Sequence, residues 1–75
     1  MTLADIQPGK KARIVSIENV NKLVRRRLID LGIMEGSIIC LKNSLPFGGP
    51  YTLEADGQSI GIRRREASLI EVSNL

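Results

Sequence analysis

The sequence predicts a mainly β fold, a small and partly open barrel of about five strands with one short helix between strands 1 and 2. Five short segments rich in β-branched residues follow one another closely, and turn residues separate them. A helical pattern interrupts this series once. An open sheet of five short strands in a chain of 75 residues would leave its outer edges unpaired, which favours a sheet that curls into a barrel of SH3-like type.

The first strand is predicted at residues 11–17. Ile14 is its expected inward residue, because alternate residues of a strand face opposite sides. Val15 and Ile17 both fall on the other side of the strand. Two apolar residues there predict either that the helix covers this side or that a bulge shifts the alternation.

Residues 21–36 carry the helix and its end. Asn21 is a suitable N-cap, since its side-chain oxygen can accept from a free amide of the first turn. Val24, Leu28 and Leu31 recur at helical spacing and share one apolar face. Gly32 follows where a helix end requires a positive φ. The helix is too short to persist alone in water, so this face must pack on the strands.

Four more strands complete the predicted fold. Asp56-Gly57 is a strong signal for a type I′ hairpin turn. Residues 43–50 contain two prolines and two glycines, which indicates a loop. Residues 64–67 are expected to turn the chain. The strands themselves are predicted at residues 38–43, 51–55, 58–63 and 69–72. A chain of this length is expected to form a single domain, residues 1–75.

The residue inventory argues against an enzyme. The chain has no histidine and one cysteine, and it shows neither a nucleophile–histidine pair nor a phosphate-binding glycine loop. We therefore predict no catalytic residues and no required cofactor. Scattered carboxylates leave only weak binding of ferrous or another divalent ion open. Cys40 lies in an apolar run, which predicts a buried thiol.

The net charge limits the classes of possible partner, and the first residues of the chain indicate the cellular location. A formal net charge of +3 is compatible with an acidic protein, a membrane surface or nucleic acid. The first residues lack a basic n-region, and no apolar run is long enough to span a bilayer. We therefore expect a protein that is not itself membrane-spanning and that works in the cytoplasm.

Three blocks in order resemble the FeoA family of small cytoplasmic partners of bacterial ferrous iron transport. The blocks are RLIDLGIMEG at 27–36, PFGGP at 46–50, and IR at 62–63 followed by ASLIEV at 67–72. The resemblance implies an SH3-like barrel and a role beside a membrane-embedded, GTPase-bearing ferrous iron transporter of FeoB type. Similar domains occur at the end of iron- and manganese-responsive repressors, so the resemblance also implies an association with transition metal ions. It supplies no set of ligand residues.

The function predicted on this basis is that of a protein-interaction module that binds and regulates the transporter at the inner face of the plasma membrane. Nucleic acid is not an expected partner. The candidate contacts are the two aromatic residues beside the loop, an adaptable methionine and two arginine clusters, at residues 25–27 and 63–65. The predicted partner-binding residues are Arg25, Arg26, Met34, Pro46, Phe47, Gly48, Gly49, Tyr51 and Arg64.

Other interpretations stay open at this point. Tyr51 and Met34 suit core packing as well as contact, and arginine runs are commonly solvated surfaces. Small basic barrels also bind single-stranded nucleic acid, which makes a nucleic-acid-binding protein one alternative function. A weak transition-metal sensor or carrier is the other.

Overall fold

A computed structural model describes residues 1–44 and 49–75 of the chain. Its five strands form one antiparallel sheet in the order β4-β3-β2-β1-β5. This confirms the mainly β class, with one nine-residue helix between the first two strands. The elements are a 3₁₀ turn at Leu3–Asp5, β1 at Lys11–Ser16, α1 at Lys22–Asp30, β2 at Ile38–Ser44, β3 at Tyr51–Ala55, β4 at Gln58–Ile62, α2 at Arg64–Ala67 and β5 at Glu71–Asn74.

The core consists of aliphatic side chains and the ring of Tyr51. Among the described residues, none with a charged side chain is buried as a whole. Every strand contributes to the core, and α1 contributes Leu28. The side chains that are almost completely buried are Leu3, Ile14, Leu28, Ile33, Ile39, Leu41, Leu53 and Ile70.

A bulge in β1 explains the pattern of Ile14, Val15 and Ile17. The pairing between β1 and β5 shifts register between Ile14 and Ser16. Val15 is consequently 47% exposed, whereas both isoleucines are buried. Of the two interpretations of this stretch, the bulge is therefore the one that the structure shows.

Helix α1 begins and ends as the sequence predicts. The Asn21 side chain accepts from the Val24 amide at 2.9 Å. At the other end Gly32 has a φ of +81°. The Gly32 amide donates to Ile29 and the Ile33 amide donates to Leu28, both carbonyls of the last turn. These two bonds form a Schellman motif, which ends the helix and returns Ile33 to the core beside Leu28.

Replacing Gly32 with alanine is expected to lower the free energy of unfolding by about 1–2 kcal/mol, because an L-residue is strained at positive φ. Urea denaturation measures the change. Gly61→Ala is the matched control, since an added Cβ meets nothing within 4 Å at either glycine and only Gly32 has a positive φ. Equal losses in the two variants would contradict a conformational cause.

The hairpin between β3 and β4 has the predicted turn. Asp56 and Gly57 have φ values of +51° and +79°, as a two-residue type I′ turn requires. The two strands pair in register from Ala55 opposite Gln58 to Tyr51 opposite Ile62.

The structure corrects the end of the predicted strand series. The fifth strand begins at Glu71 instead of residue 69, and residues 64–67 form the short helix α2. The Ile70 amide still donates to the Ala67 carbonyl of α2, so it cannot donate to β1. Ile70 and Val72 are nevertheless both buried, as expected. The bounds of β1, β2 and β4 each differ from the prediction by one residue.

Cys40 is half-buried, so the predicted buried thiol is wrong. Its neighbours Ile39 and Leu41 are fully buried. Alternation along β2 therefore directs Cys40 to the outer side of the sheet, where it lies opposite Lys11 and Glu54.

Candidate functional site

Helix α1 lies between two surface depressions. The first, here called the α1–β4 groove, consists of two adjoining cavities of about 730 and 540 Å³. Leu23 and Arg27 line both cavities and make them continuous. The second, here called the Met34 cleft, has a volume of about 390 Å³ and lies on the other side of the helix.

The α1–β4 groove combines apolar side chains with arginines. Val24 of α1 and Leu31, which directly follows α1, are half-buried. Ile60 and Ile62 of β4 are buried. Leu23 stands at the boundary of the two cavities and is 81% exposed. The charged residues that line the groove are Arg26, Arg27, Arg63, Arg64, Arg65, Asp30 and Glu66.

This groove carries the whole formal charge excess of the chain. It holds five arginines and two carboxylates. The chain has eleven basic and eight acidic side chains, so the remaining surface holds six of each and is formally neutral. One carboxylate oxygen of Glu66 is buried and has no hydrogen-bond partner within the described part of the chain. The groove therefore presents a positive potential to the solvent.

Tyr51 lies beneath the basic end of this groove. Its side chain is 3% exposed, and its hydroxyl accepts a hydrogen bond of 2.7 Å from Arg64 Nη1. The Arg64 guanidinium also lies 4.8 Å from the centroid of the Tyr51 ring. The tyrosine therefore holds Arg64 over β3 by a hydrogen bond and a cation–π contact.

The Met34 cleft is more apolar. Ile29 and Met34 line it and are 47% and 45% exposed, above the buried Ile17. Arg25 is half-buried at its margin. The two carboxylates that also line the cleft are Glu18 and Glu35. An exposed isoleucine and methionine side by side form an apolar contact surface.

The structure divides the predicted contact residues between the two depressions. Arg25 and Met34 share the Met34 cleft. Arg26 and Arg64 lie in the two cavities of the α1–β4 groove. Gly49 is half-buried and Tyr51 is buried. The other three predicted residues lie outside the described part of the chain: Pro46, Phe47 and Gly48.

The sequence-based prediction missed two exposed apolar side chains, Leu23 and Ile29, and three arginines of the groove. Leu23 and Ile29 fall outside the buried stripe of α1, and an apolar residue outside such a stripe could have indicated a contact surface. The other three arginines, Arg27, Arg63 and Arg65, belong to the two arginine clusters, but the sequence did not single them out from their neighbours. Their assignment requires knowledge that β4 lies beside the helix.

Two kinds of feature are absent from the described residues. Across residues 1–44 and 49–75, no group of three or more histidine, cysteine, aspartate or glutamate side chains is placed to hold a metal ion. Over the same residues, no helix is long and apolar enough to cross a membrane.

These features define a small SH3-like domain whose surface depressions flank a single helix. The family model of the FeoA domain matches residues 1–74. The chain therefore belongs to the FeoA domain family, which confirms the resemblance seen in the three sequence blocks.

Solved FeoA structures have the same fold. The FeoA protein from Chlorobium tepidum superimposes with a TM-score of 0.93 at 33% identity, covering 100% of this chain and 70% of that one. The FeoA-like protein from Clostridium acetobutylicum gives 0.82 at 31% identity, with 100% and 86% covered. A manganese-dependent transcriptional repressor gives 0.85 at 19% identity, covering all of this chain and 41% of the repressor, a likeness of fold alone.

A curated relative from Porphyromonas gingivalis is a fusion of Fe(2+) transport protein A with the Fe(2+) transporter FeoB. It is 28% identical over 72 residues, which are 96% of this chain. The chain spans only 8% of the length of that relative.

Proposed function

We propose that this FeoA domain is a protein-interaction module of ferrous iron transport, and that it binds and regulates an FeoB-type transporter at the inner face of the membrane. The observation that carries the proposal is the Porphyromonas gingivalis relative, in which a matching segment and the transporter are joined in one protein. Fusion keeps two domains at high effective concentration, which is useful when they act on each other. The proposal requires no bound cofactor and no catalytic residue.

The surface supports binding to a protein. Ile29 and Met34 offer adaptable apolar area in the Met34 cleft, and methionine suits contacts that must repack. Arg25, Glu18 and Glu35 also line this cleft, so it offers charged contacts of both signs around its apolar residues. The arginines of the α1–β4 groove provide a positive surface on the other side of the same helix.

Binding to the purified cytoplasmic part of an FeoB-type transporter tests the proposal, with isothermal titration calorimetry as the measurement. Met34→Glu and Arg25→Glu are each expected to weaken binding by about tenfold, the effect of losing roughly 1.4 kcal/mol. Lys11→Glu is the control, because Lys11 is exposed and lines neither depression. It reverses a charge as Arg25→Glu does and is expected to change the affinity by less than about twofold.

The same titration separates the parts of the proposal. No binding by the unaltered chain would contradict the function itself. Binding that all three variants keep would show that the Met34 cleft is not the contact. A rate of GTP hydrolysis by the transporter that stays constant as the domain saturates it would contradict the regulatory role.

A further inference from the structure

We propose that the α1–β4 groove binds an acidic, extended segment of a partner protein, and that this segment adds to β4 as a further strand of the sheet. The proposal deepens the proposed function, on which it rests for the expectation that the partner is a protein. It names both the mode of recognition and the chemistry of the recognised segment.

The free edge of β4 has the hydrogen-bonding groups for this role. In a hairpin with a two-residue turn, the residues that flank the turn exchange both backbone hydrogen bonds, and alternate pairs along the ladder do the same. Ala55 and Gln58 flank the turn here. Ser59 and Gly61 therefore direct their N–H and C=O groups away from β3. Strand β4 is the last strand on this side of the sheet that the structure describes.

These two residues face the groove and are accessible. Ser59 and Gly61 are both exposed. Ser59 lines the smaller cavity and Gly61 lines the larger one. A Cβ built on Gly61 meets nothing within 4 Å. The space between β4 and α1 therefore lies along the edge that offers these backbone groups.

The opposite edge of the sheet is covered at residues 70–72 by the start of the chain. Thr2 forms an isolated bridge with Glu71 at the start of β5. The Val72 amide donates to the Met1 carbonyl at 3.0 Å, and the Leu3 amide donates to the Ile70 carbonyl at 2.9 Å. A covered edge is protected from pairing with other chains, whereas an accessible edge is a template for an added strand.

The charge of the groove selects an acidic segment. Five arginines and two carboxylates line it, and the rest of the chain is formally neutral. Along an added strand, alternate side chains point to opposite sides. A segment that alternates acidic and apolar residues can therefore place carboxylates beside the arginines and apolar groups on Leu23 and Leu31.

Two other occupants fit the groove less well. A second copy of the chain would bring two arginine-rich grooves together, and like charges across an interface are unfavourable. Proteins that bind single-stranded nucleic acid usually combine a basic groove with exposed aromatic rings for stacking. Within the described part of the chain the one aromatic residue is Tyr51, which is buried and whose ring Arg64 covers.

Two synthetic peptides test the proposal with ¹⁵N-labelled protein and NMR. One alternates glutamate and valine over ten residues, and the other has lysine in place of each glutamate. The acidic peptide is expected to shift the amides of Ser59 and Gly61 and to bind more weakly as salt is raised. The lysine peptide is expected to cause no such shifts.

Ser59→Pro is the decisive variant. Proline removes the outward N–H of the edge and leaves the hydrogen bonds between β3 and β4 in place. We expect this variant to bind the acidic peptide at least about tenfold more weakly, while the control Ser59→Ala keeps the affinity of the unaltered chain. The second variant replaces Arg26 and Arg27 with glutamate, and we expect the same loss of affinity. This test does not depend on whether the proline variant folds.

The outcomes distinguish this proposal from the proposed function. Absence of binding by the acidic peptide, or shifts confined to other surfaces, would overturn the β4 mode even when the transporter domain is captured. Equal affinity of Ser59→Pro and Ser59→Ala would also overturn it. Edge-specific binding of the peptide without capture of the transporter domain would support the groove and contradict the proposed function. Retention of a single-stranded oligonucleotide or dimerisation through β4 would assign the groove to another occupant.

Discussion

Replacing Leu28 with alanine is expected to lower the free energy of unfolding by about 2–5 kcal/mol. Leu28 is 1% exposed and is the α1 residue that lies fully in the core. Its carbonyl also accepts the 2.8 Å bond from Ile33 that closes the helix. The truncation leaves a cavity where helix and sheet meet, and a small domain has only about 5–15 kcal/mol of stability in total. Urea denaturation at a fixed temperature measures the loss.

Leu23→Ala is the matched control for this prediction. It makes the same chemical change in the same helix, but Leu23 is 81% exposed. We expect a change within about 0.5 kcal/mol, as for ordinary surface substitutions. A loss in the Leu23 variant as large as that in the Leu28 variant would contradict the assignment of Leu28 as the anchor of α1.

Local signals made most of the fold predictable. Asn21 and Gly32 bound the helix because a cap and a positive φ are properties of a few neighbouring residues. The turn at Asp56 and Gly57 is equally local. The start of β5 was not predictable in this way. The amides of Leu69 and Ile70 donate to carbonyls of α2, and this competition is decided by the fold around them.

The candidate site was less predictable, because it depends on which strand lies beside α1. The arginine runs at residues 25–27 and 63–65 are obvious in the sequence. Only the folded structure shows that Arg27 and Arg65 line one groove, whereas Arg25 lines the cleft on the other side of the helix. Successive helical residues step by about 100°, so the three successive arginines of α1 do not share one surface.

The role of Leu23 was also not predictable from the sequence. In the sequence it is one more apolar residue of a short helix. In the structure it is almost wholly exposed between two cavities. Exposure of a large apolar side chain beside a free strand edge is what makes the α1–β4 groove a candidate contact surface.

Replacing Tyr51 with alanine is expected to lower the free energy of unfolding by about 3–5 kcal/mol, because truncating a buried aromatic ring leaves a large cavity. Tyr51→Phe keeps the ring and removes the acceptor for Arg64, so we expect a loss of only about 0.5–1.5 kcal/mol. Chemical denaturation of both variants measures the two effects. A loss for Tyr51→Phe that matches the alanine variant would contradict ring packing as the main contribution of Tyr51 to stability.

A double-mutant cycle extends this prediction to the groove. Tyr51→Phe, Arg64→Ala and the double variant are expected to give a coupling free energy of about 0.5–1.5 kcal/mol for the 2.7 Å hydrogen bond. Because Tyr51 is buried, it acts on a partner only through the position of Arg64. Tyr51→Phe should therefore weaken binding to the transporter domain no more than Arg64→Ala does, and should add nothing once Arg64 is gone. A further loss of affinity in the double variant would mean that the Tyr51 hydroxyl itself contacts the partner.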